Sequence, residues 1–342
     1  MSAPEQKDGA SMRAVVYERQ GPPHEVLELR RIGVPEPAAG EVRVRMAYSG
    51  INPSDCKHRS GWVGGGMQHK RIVPHNDGSG IIDKLGPGVP AERLGQRVWL
   101  FEASQAGEAG GTAAEYAVIP ESRAVPLPDR ASLQLGACLG VPALTAHRCV
   151  FGDGPVKDRT VLVAGGAGGV GRFAIQLARW GGAKVLATAG RAAGMRIAQE
   201  AGAHHVFSYR DRDLGDRILE AAPEGVDRIV EVALASNIEV DVAIAKRGGT
   251  IVSFASSVGS DGNVQLPARD MLAKALTLKW VHVYSMPESA KRAAIEDIHK
   301  AICAGAITEP EVLAFPLEGV ADAHQAVGTD GAGVKALIDL RA

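Results

Sequence analysis

The stretch Thr160-Val-Leu-Val-Ala-Gly-Gly-Ala-Gly-Gly-Val-Gly171 decides the fold of this chain. It opens with the apolar run Val161 to Ala164, which is typical of a buried parallel strand. A turn rich in glycine follows, and after it Phe173 to Ala178 have the pattern of a helix with a broad apolar face. A strand, a glycine turn and a helix in this order predict a dinucleotide-binding unit.

The spacing within the turn is that of G-x-G-x-x-G, in Gly166, Gly168 and Gly171. The first glycine permits a tight turn, the second lets a pyrophosphate approach the backbone, and the third lets helix and strand pack closely. Free amides at the start of the helix then face the phosphates. A purely structural turn is the alternative, because the chain has 42 glycines and chance matches occur. The residues expected to bind the cofactor here are Gly166, Ala167, Gly168, Gly169, Val170 and Gly171.

Strand and helix patterns alternate through the second half of the chain, which predicts an α/β domain with a doubly wound parallel sheet. From Met12 to about Pro128 the pattern is one of short strands separated by Gly and Pro, which predicts a compact β-barrel-like domain. The last segment is expected to return to this first domain. We therefore assign residues 1–132 and 309–342 to a catalytic β domain and 133–308 to a nucleotide-binding domain.

Composition narrows the possible partners. The net charge of −1 disfavours nucleic acid and anionic membranes as partners. The four cysteines are scattered and include no C-x-x-C pair, which argues against a disulfide framework or a structural zinc site. These features predict a cytoplasmic protein that acts on a small molecule.

Several further stretches resemble the medium-chain dehydrogenase/reductase superfamily and, within it, the zeta-crystallin-type NADPH:quinone oxidoreductases. They are Gly50–Lys57, Pro74–Gly80, Gly111–Tyr116 and Gly140–Ala146, together with the glycine turn. The resemblance covers the chain from about Arg13 to Leu340. It implies a GroES-like β-barrel domain followed by a Rossmann domain.

The resemblance also shows where the chain departs from zinc-dependent members of the superfamily. The positions that match their zinc ligands hold Asn52, Asn76-Asp77 and Val141. Asn is a poor zinc ligand and Val cannot be one. His75 lies beside this site, but no Cys or His is near it in sequence. A metal is therefore not expected, and ordinary alcohol oxidation is disfavoured because it needs a Lewis acid.

The resemblance then implies hydride transfer from NADPH to a quinone. Reduction of an enone or 2-alkenal is an alternative. A second alternative, from another functional class, is a cofactor-binding protein with a structural or RNA-binding role. The near-zero net charge disfavours RNA.

Two residues are candidates for catalysis. Lys57 matches a position that is often Tyr in quinone reductases and Lys in enone-reducing relatives, so its ammonium could offset charge on the acceptor. It could equally be a solvated surface lysine. Asn52 could donate from its amide to the ribose or the substrate, or could simply form a turn with Pro53.

Further residues are candidates for cofactor binding. Thr145 matches a position beside the nicotinamide, although a helix threonine can also bond its own backbone. Tyr209 matches a residue that flanks the adenosine 2′-phosphate, and Lys335 in the last strand is included as a cofactor ligand.

Cofactor choice is predicted from the end of the second Rossmann strand, Thr188-Ala-Gly-Arg191. An NAD enzyme usually has Asp or Glu there to bind the ribose diol. Arg191 could instead pair with a 2′-phosphate, with help from Arg196. A lysine that relatives place nearby corresponds to Gly194. The residues favour NADPH.

The sequence also suggests a homodimer. The predicted strand from Leu276 to Tyr284 comes last in the Rossmann order, and an edge strand offers open amides and carbonyls to a second copy. Proline at Val281 is expected to remove one of these donors. The alternative is an edge covered by the following helix.

Overall fold

The computed structural model describes residues 10–62, 66–67, 69–105, 107, 110–255, 263–330 and 335–341. Its strands are, in chain order, β1 (Ser11–Val16), β2 (Glu28–Gly33), β3 (Glu41–Gly50), β4 (Asp77–Leu85), β5 (Arg97–Leu100), β6 (Tyr116–Pro120), β7 (Ala124–Pro126), β8 (Thr160–Val163), β9 (Lys184–Ala189), β10 (His205–Ser208), β11 (Val226–Glu231), β12 (Ala245–Ser253), β13 (Thr277–Trp280), β14 (Val312–Pro316) and β15 (Lys335–Asp339). Its helices are α1 (Pro23–Val26), α2 (Pro53–Ser60), α3 (Leu133–Gly136), α4 (Gly140–Phe151), α5 (Gly169–Trp180), α6 (Ala192–Glu200), α7 (Leu214–Ala221), α8 (Leu234–Ile244), α9 (Ala268–Ala273), α10 (Glu288–Cys303) and α11 (Val320–Asp330).

The chain divides into two compact units. The first comprises Met1–Val141, Pro310–Gly331 and Lys335–Ala342, and the second comprises Pro142–Glu309 and Ala332–Val334. The sequence-based boundary at 132/133 falls earlier than this division. The reason is that α3 packs against β4 and β5, so the segment that follows residue 132 remains with the first unit.

The first unit contains the two-stranded sheet β1-β2 and a mixed sheet, whose order within the described residues is β14-β15-β3-β4-β5-β7, with β6 paired to β3. The last strand of the chain, β15, is thus an interior strand. Gly50, at the end of β3, is paired with both Asp77 of β4 and Leu337 of β15. A Cβ on Gly50 would lie 2.1 Å from the Ala137 carbonyl oxygen, so this crowded junction requires glycine. The junction brings the start of α2, the start of β4 and the start of β15 to one end of the sheet.

The second unit contains a parallel sheet with the order β10-β9-β8-β11-β12-β13 in its described residues. Counted from β8, this is the 3-2-1-4-5-6 order of a doubly wound dinucleotide-binding fold, as the alternation of strands and helices predicted. The central strands β8, β9 and β11 are largely buried and apolar, because helices cover both sides of such a sheet. Leu162, Leu186, Ile229 and Ile251 are buried in its core.

Strand β13 lies at one edge of this sheet and is shorter than the predicted Leu276–Tyr284. Val281 still donates its amide to the Ser253 carbonyl, but Val283–Ser285 then form a helical turn. Pro287, which has no amide hydrogen, follows and precedes α10. Among the helices of the described residues, none has both the length and the apolar character needed to cross a bilayer.

Candidate active site

Asp77 is the centre of a buried polar network at the start of β4. Its side chain is fully buried, and its Oδ2 accepts a hydrogen bond of 2.7 Å from the Asn52 side-chain amide. Its Oδ1 accepts one of 2.8 Å from the backbone amide of Val141. Burial raises the pKa of Asp77 to about 6, against the opposing effects of Lys335 and Asn52. A Cβ at Gly140 would lie 2.1 Å from Oδ1, so only glycine leaves room for this carboxylate.

Lys335 supplies a positive charge to the same place. Its Nζ donates to the Asn52 Oδ1 at 2.6 Å and lies 3.8 Å from the Asp77 Oδ2, with the lysine side chain 8% exposed. Asn52 therefore uses its amide nitrogen toward Asp77 and its amide oxygen toward Lys335. We call Asn52, Asp77 and Lys335 the Asp77 network.

A second carboxylate fixes the start of α2 beside this network. Asp55 accepts from the backbone amide of Asn52 at 2.8 Å and from the Asn76 side-chain amide at 3.0 Å. Ser104 in turn donates to the Asn76 oxygen at 2.8 Å. Burial raises the pKa of Asp55 to about 6. These bonds make Asp55 a structural acceptor that holds the start of α2, and with it Asn52, in place.

A series of hydrogen-bonded, buried polar side chains ends on the backbone carbonyl of Asp77. Ser49 Oγ lies 2.7 Å from His75 Nδ1 and 2.7 Å from Thr112 Oγ1, and Thr112 donates to the Asp77 carbonyl at 2.6 Å. The Nε2 atoms of His75 and His324 are 2.8 Å apart. We call Ser49, His75, Thr112 and His324 the histidine chain.

The glycine turn of the second unit is built as its spacing predicts. Gly165 has a φ of 66°, and a Cβ at Gly171 would lie 2.2 Å from the Gly165 carbonyl oxygen. A Cβ at Gly166 would come within 3.0 Å of Ile175. Helix α5 begins at Gly169, and Gly168 before it has no side chain with which to cap the first amides. The turn is thus a cradle of backbone amides that fits a pyrophosphate.

Arg191 and Tyr209 lie together at the carboxyl ends of β9 and β10. A Cβ at Gly190 would overlap the Tyr209 hydroxyl, at 2.0 Å, so the phenol lies directly on the residue before Arg191. Tyr209 is half exposed, and its amide donates to the Ala189 carbonyl. Arg191 is exposed as the residue before α6. Arg196, in contrast, pairs with Glu200 at 2.8 Å.

Two family models match the chain. The model for the alcohol dehydrogenase GroES-like domain matches residues 38–129, and the model for zinc-binding dehydrogenases matches residues 169–300. The human quinone oxidoreductase is 33% identical over 321 residues, which cover 92% of this chain and 93% of that protein. The chain belongs to the medium-chain dehydrogenase/reductase superfamily, in its zeta-crystallin-type group.

Solved structures of this superfamily share the fold. A mycobacterial protein in complex with NADPH has a TM-score of 0.82 at 25% identity, over 96% of this chain and 99% of that one. An NAD-dependent alcohol dehydrogenase has a TM-score of 0.82 at 30% identity, with the same coverage. The first unit is the GroES-like domain and the second is the Rossmann domain. The protein is an oxidoreductase of this superfamily that uses a nicotinamide cofactor.

The fold of this medium-chain oxidoreductase brings two of the candidate residues together. Asn52 and Lys335 are direct hydrogen-bond partners. Lys57 lies in the last turn of α2, where its ammonium stands 4.2 Å from the centre of the Trp62 ring. Burial lowers the pKa of Lys57.

Thr145 is buried on α4, one turn after Pro142. The Pro142 ring is 3.8 Å from the position of a Cβ on Gly169, so Pro142 lies beside the glycine turn. Sequence reasoning treated Asp77 only as a replaced metal ligand and did not single out His324. Their importance rests on partners far away in sequence, and local patterns carry no signal for these.

Proposed function

We propose that this protein is an NADPH-dependent quinone oxidoreductase that transfers hydride without a metal ion. The observation that carries the proposal is the Asp77 network. Two of its members, Asn52 and Asp77, stand at positions that the family resemblance matches to zinc ligands. There a lysine ammonium, an amide and a carboxylate bond to one another.

The donor set does not fit zinc. The Asn52 side chain is engaged at both ends, toward Asp77 and Lys335, and Val141 contributes a backbone N–H that already points at Asp77. Protein zinc sites use thiolate, imidazole or carboxylate groups, most often four of them including water. Among the described residues, no three His, Cys, Asp or Glu side chains are placed to hold a metal ion. No step of the proposed reaction uses one.

The residues support hydride transfer to an acceptor that is already electrophilic. A bound reduced nicotinamide supplies the hydride. The backbone amides of Gly166 to Gly171 hold the pyrophosphate. The ammonium of Lys335 offsets the negative charge that develops on the acceptor oxygen, and Asp77 and Asn52 hold that ammonium in place. A quinone fits this chemistry because its reduction needs no alkoxide stabilisation by a Lewis acid.

Arg191 and Tyr209 support NADPH over NADH. No acidic residue stands at the end of β9, where Gly190-Arg191 follow Ala189, the last residue of the strand. A guanidinium pairs with a 2′-phosphate through charge-assisted hydrogen bonds, whereas a carboxylate there would repel it. The Tyr209 phenol beside Gly190 adds a second donor.

One observation favours the enone or 2-alkenal alternative. Lys57 stands where enone-reducing relatives have lysine, and its ammonium is partly buried against Trp62. A cation held there could polarise the carbonyl of a conjugated substrate.

A substrate panel tests the proposal. The oxidation of NADPH and NADH is followed with 1,2-naphthoquinone, 2-cyclohexenone and 2-hexenal, before and after exhaustive chelation. We expect the highest kcat/KM for NADPH with the quinone, unchanged by chelation. Faster reduction of the alkenal or enone would favour the alternative, and loss of activity that added zinc restores would end the metal-free proposal.

A further inference from the structure

The histidine chain has a definite direction, which can be derived from its ends. At one end, Thr112 faces the Asp77 carbonyl, an atom that can only accept, so the Thr112 hydroxyl donates to it. The Ser49 hydroxyl must then donate to Thr112. Ser49 Oγ is left to accept from His75, and the proton of His75 therefore sits on Nδ1.

The other end fixes the second imidazole. Arg59 Nε lies 3.4 Å from His324 Nδ1, and a guanidinium nitrogen can only donate. The Cys56 thiol is also 3.4 Å from this atom. His324 Nδ1 therefore accepts, and its proton sits on Nε2. The two assignments agree at the bond that joins the imidazoles. There His324 Nε2–H donates to the unprotonated Nε2 of His75 at 2.8 Å.

Both imidazoles are neutral in this arrangement. A second proton on His75 would place its Nε2–H against the Nε2–H of His324. A second proton on His324 would place its Nδ1–H against the Nε–H of Arg59. Burial lowers the pKa of His324 to about 3 and also lowers that of His75, and each histidine is 1% exposed. The histidine chain thus has one proton arrangement in which every bond has a donor and an acceptor.

The histidine chain holds the backbone that carries the Asp77 network. His75 has a φ of 77°, a left-handed conformation that is uncommon and costly outside glycine. The two residues after it are Asn76 and Asp77, which hold Asp55 and the Asp77 network. His324 lies on α11, in the same C-terminal segment that supplies Lys335.

We propose that His75 and His324 are positioning residues for the hydride-transfer site, locked as opposite neutral tautomers so that they hold Asp77 against Asn52 and Lys335. The assignment of a catalytic effect rests on the proposed function. The histidine chain does not relay protons to the substrate, because it ends on the backbone carbonyl of Asp77, which has no proton to donate.

The tautomers are tested without any substrate. In protein labelled with ¹⁵N-histidine, long-range ¹H–¹⁵N spectra at neutral pH distinguish protonated from bare ring nitrogens. The His75→Asn and His324→Gln variants assign the signals, and asparagine is chosen because it tolerates a positive φ. We expect His75 with its proton on Nδ1 and His324 with its proton on Nε2. Two Nε2–H tautomers, or an imidazolium at either position, would overturn the proposal.

The positioning role is tested with NADPH and 1,2-naphthoquinone. His324→Leu and Thr112→Val each interrupt the hydrogen bonds of the histidine chain, whereas the glutamine of His324→Gln can still donate and accept a hydrogen bond. We expect kcat to fall by about tenfold to a hundredfold for the first two with KM for NADPH little changed, because small displacements at a reacting centre are costly. His324→Gln should recover most of the loss, and exposed His24→Leu should match the unaltered protein.

Non-additivity gives the decisive comparison. The double variant His324→Leu/Thr112→Val should be no slower than the slower single variant, because both substitutions break one chain. Multiplied losses, or an unchanged kcat in folded single variants, would refute positioning. If His324→Leu does not fold, Ser49→Ala breaks the histidine chain at another link and takes its place in the double variant. An unaltered protein that reduces no acceptor would refute the proposed function alone, since the tautomer measurement stands without activity.

Discussion

The ammonium of Lys335 lies 2.6 Å from the side-chain oxygen of Asn52, although the two residues are 283 positions apart in sequence. The same ammonium is 3.8 Å from a carboxylate oxygen of Asp77, which is fully buried. A cation, an amide and a carboxylate are thereby held in one desolvated cluster, where their electrostatic effects are larger than in water.

Removal of the Lys335 charge should therefore impair catalysis more than binding. For Lys335→Met we expect kcat with a quinone to fall by about 10²–10³-fold, the usual cost of losing one donor to a developing negative charge, with a smaller change in KM. Steady-state kinetics at several NADPH concentrations measure this, and the melting temperature shows whether the fold survives. Lys246→Met, which removes a surface lysine paired with Glu224, is the control. A folded Lys335→Met protein with full activity would contradict the role given to Lys335.

Arg191 should determine the choice of cofactor. We expect Arg191→Ala to raise KM for NADPH about tenfold or more and to leave KM for NADH nearly unchanged, because only NADPH has the 2′-phosphate. Arg292→Ala, at an exposed position of α10, is the control. Equal use of both cofactors by the unaltered protein would disprove the NADPH preference, as would an Arg191→Ala variant with the same NADPH affinity.

A buried pair of carboxyl groups in the Rossmann domain should make stability depend on pH. Asp241 on α8 hydrogen-bonds Glu231 at the end of β11, and both residues are buried. Burial and the neighbouring Glu231 raise the pKa of Asp241 well above its usual value, so the folded protein keeps a proton that the unfolded chain releases above about pH 4. The stabilising contribution of this proton is present at acid pH and is lost as pH rises.

Asp241→Asn should reduce this dependence, because an amide can still donate to Glu231 without carrying a charge. We expect little change in the free energy of unfolding near pH 4 and a gain of about 2 kcal/mol at pH 8. Urea unfolding at both pH values measures the difference, with exposed Asp270→Asn as the control. A gain of the same size at both pH values would show that protonation is not its cause.

Strand β13 should carry the interface of a homodimer. Val281 donates its amide to Ser253 within the chain, so the proline substitution suggested by the sequence at Val281 would break the protein's own sheet. Because backbone groups in a strand point alternately to either side, the amide of Trp280 faces the open edge. Its side chain is 64% exposed.

We therefore expect Trp280→Pro to shift the protein from dimer to monomer, and Trp280→Ala, which keeps the amide, to weaken association less. Sedimentation at micromolar concentration distinguishes the two species. An unaltered protein that is monomeric at this concentration would refute the dimer.

The Rossmann domain could be predicted from sequence because its signals are local. The apolar run before Gly166 and the spacing to Gly171 predict strand, turn and helix within about a dozen residues, and the structure confirms them. The same reasoning found no Cys or His near His75, yet His324 lies against it from 249 positions away. The sequence likewise indicates Lys335 as a cofactor ligand but does not identify Asn52 and Asp77 as its partners. Tertiary pairing of β15 with β3 creates these contacts, and no local pattern encodes it.

The place of β15 inside the first sheet has a consequence for synthesis on the ribosome. The nucleotide-binding unit is nearly continuous in the chain, so it can fold while translation proceeds. The GroES-like domain is made first but lacks the strand between β14 and β3 until residues 335–339 have emerged. The edge of β3 that later pairs with β15 therefore stays unpaired while more than half of the protein is still to be translated. We infer that this interval, rather than the finished fold, is when the chain is most exposed to aggregation and to chaperones.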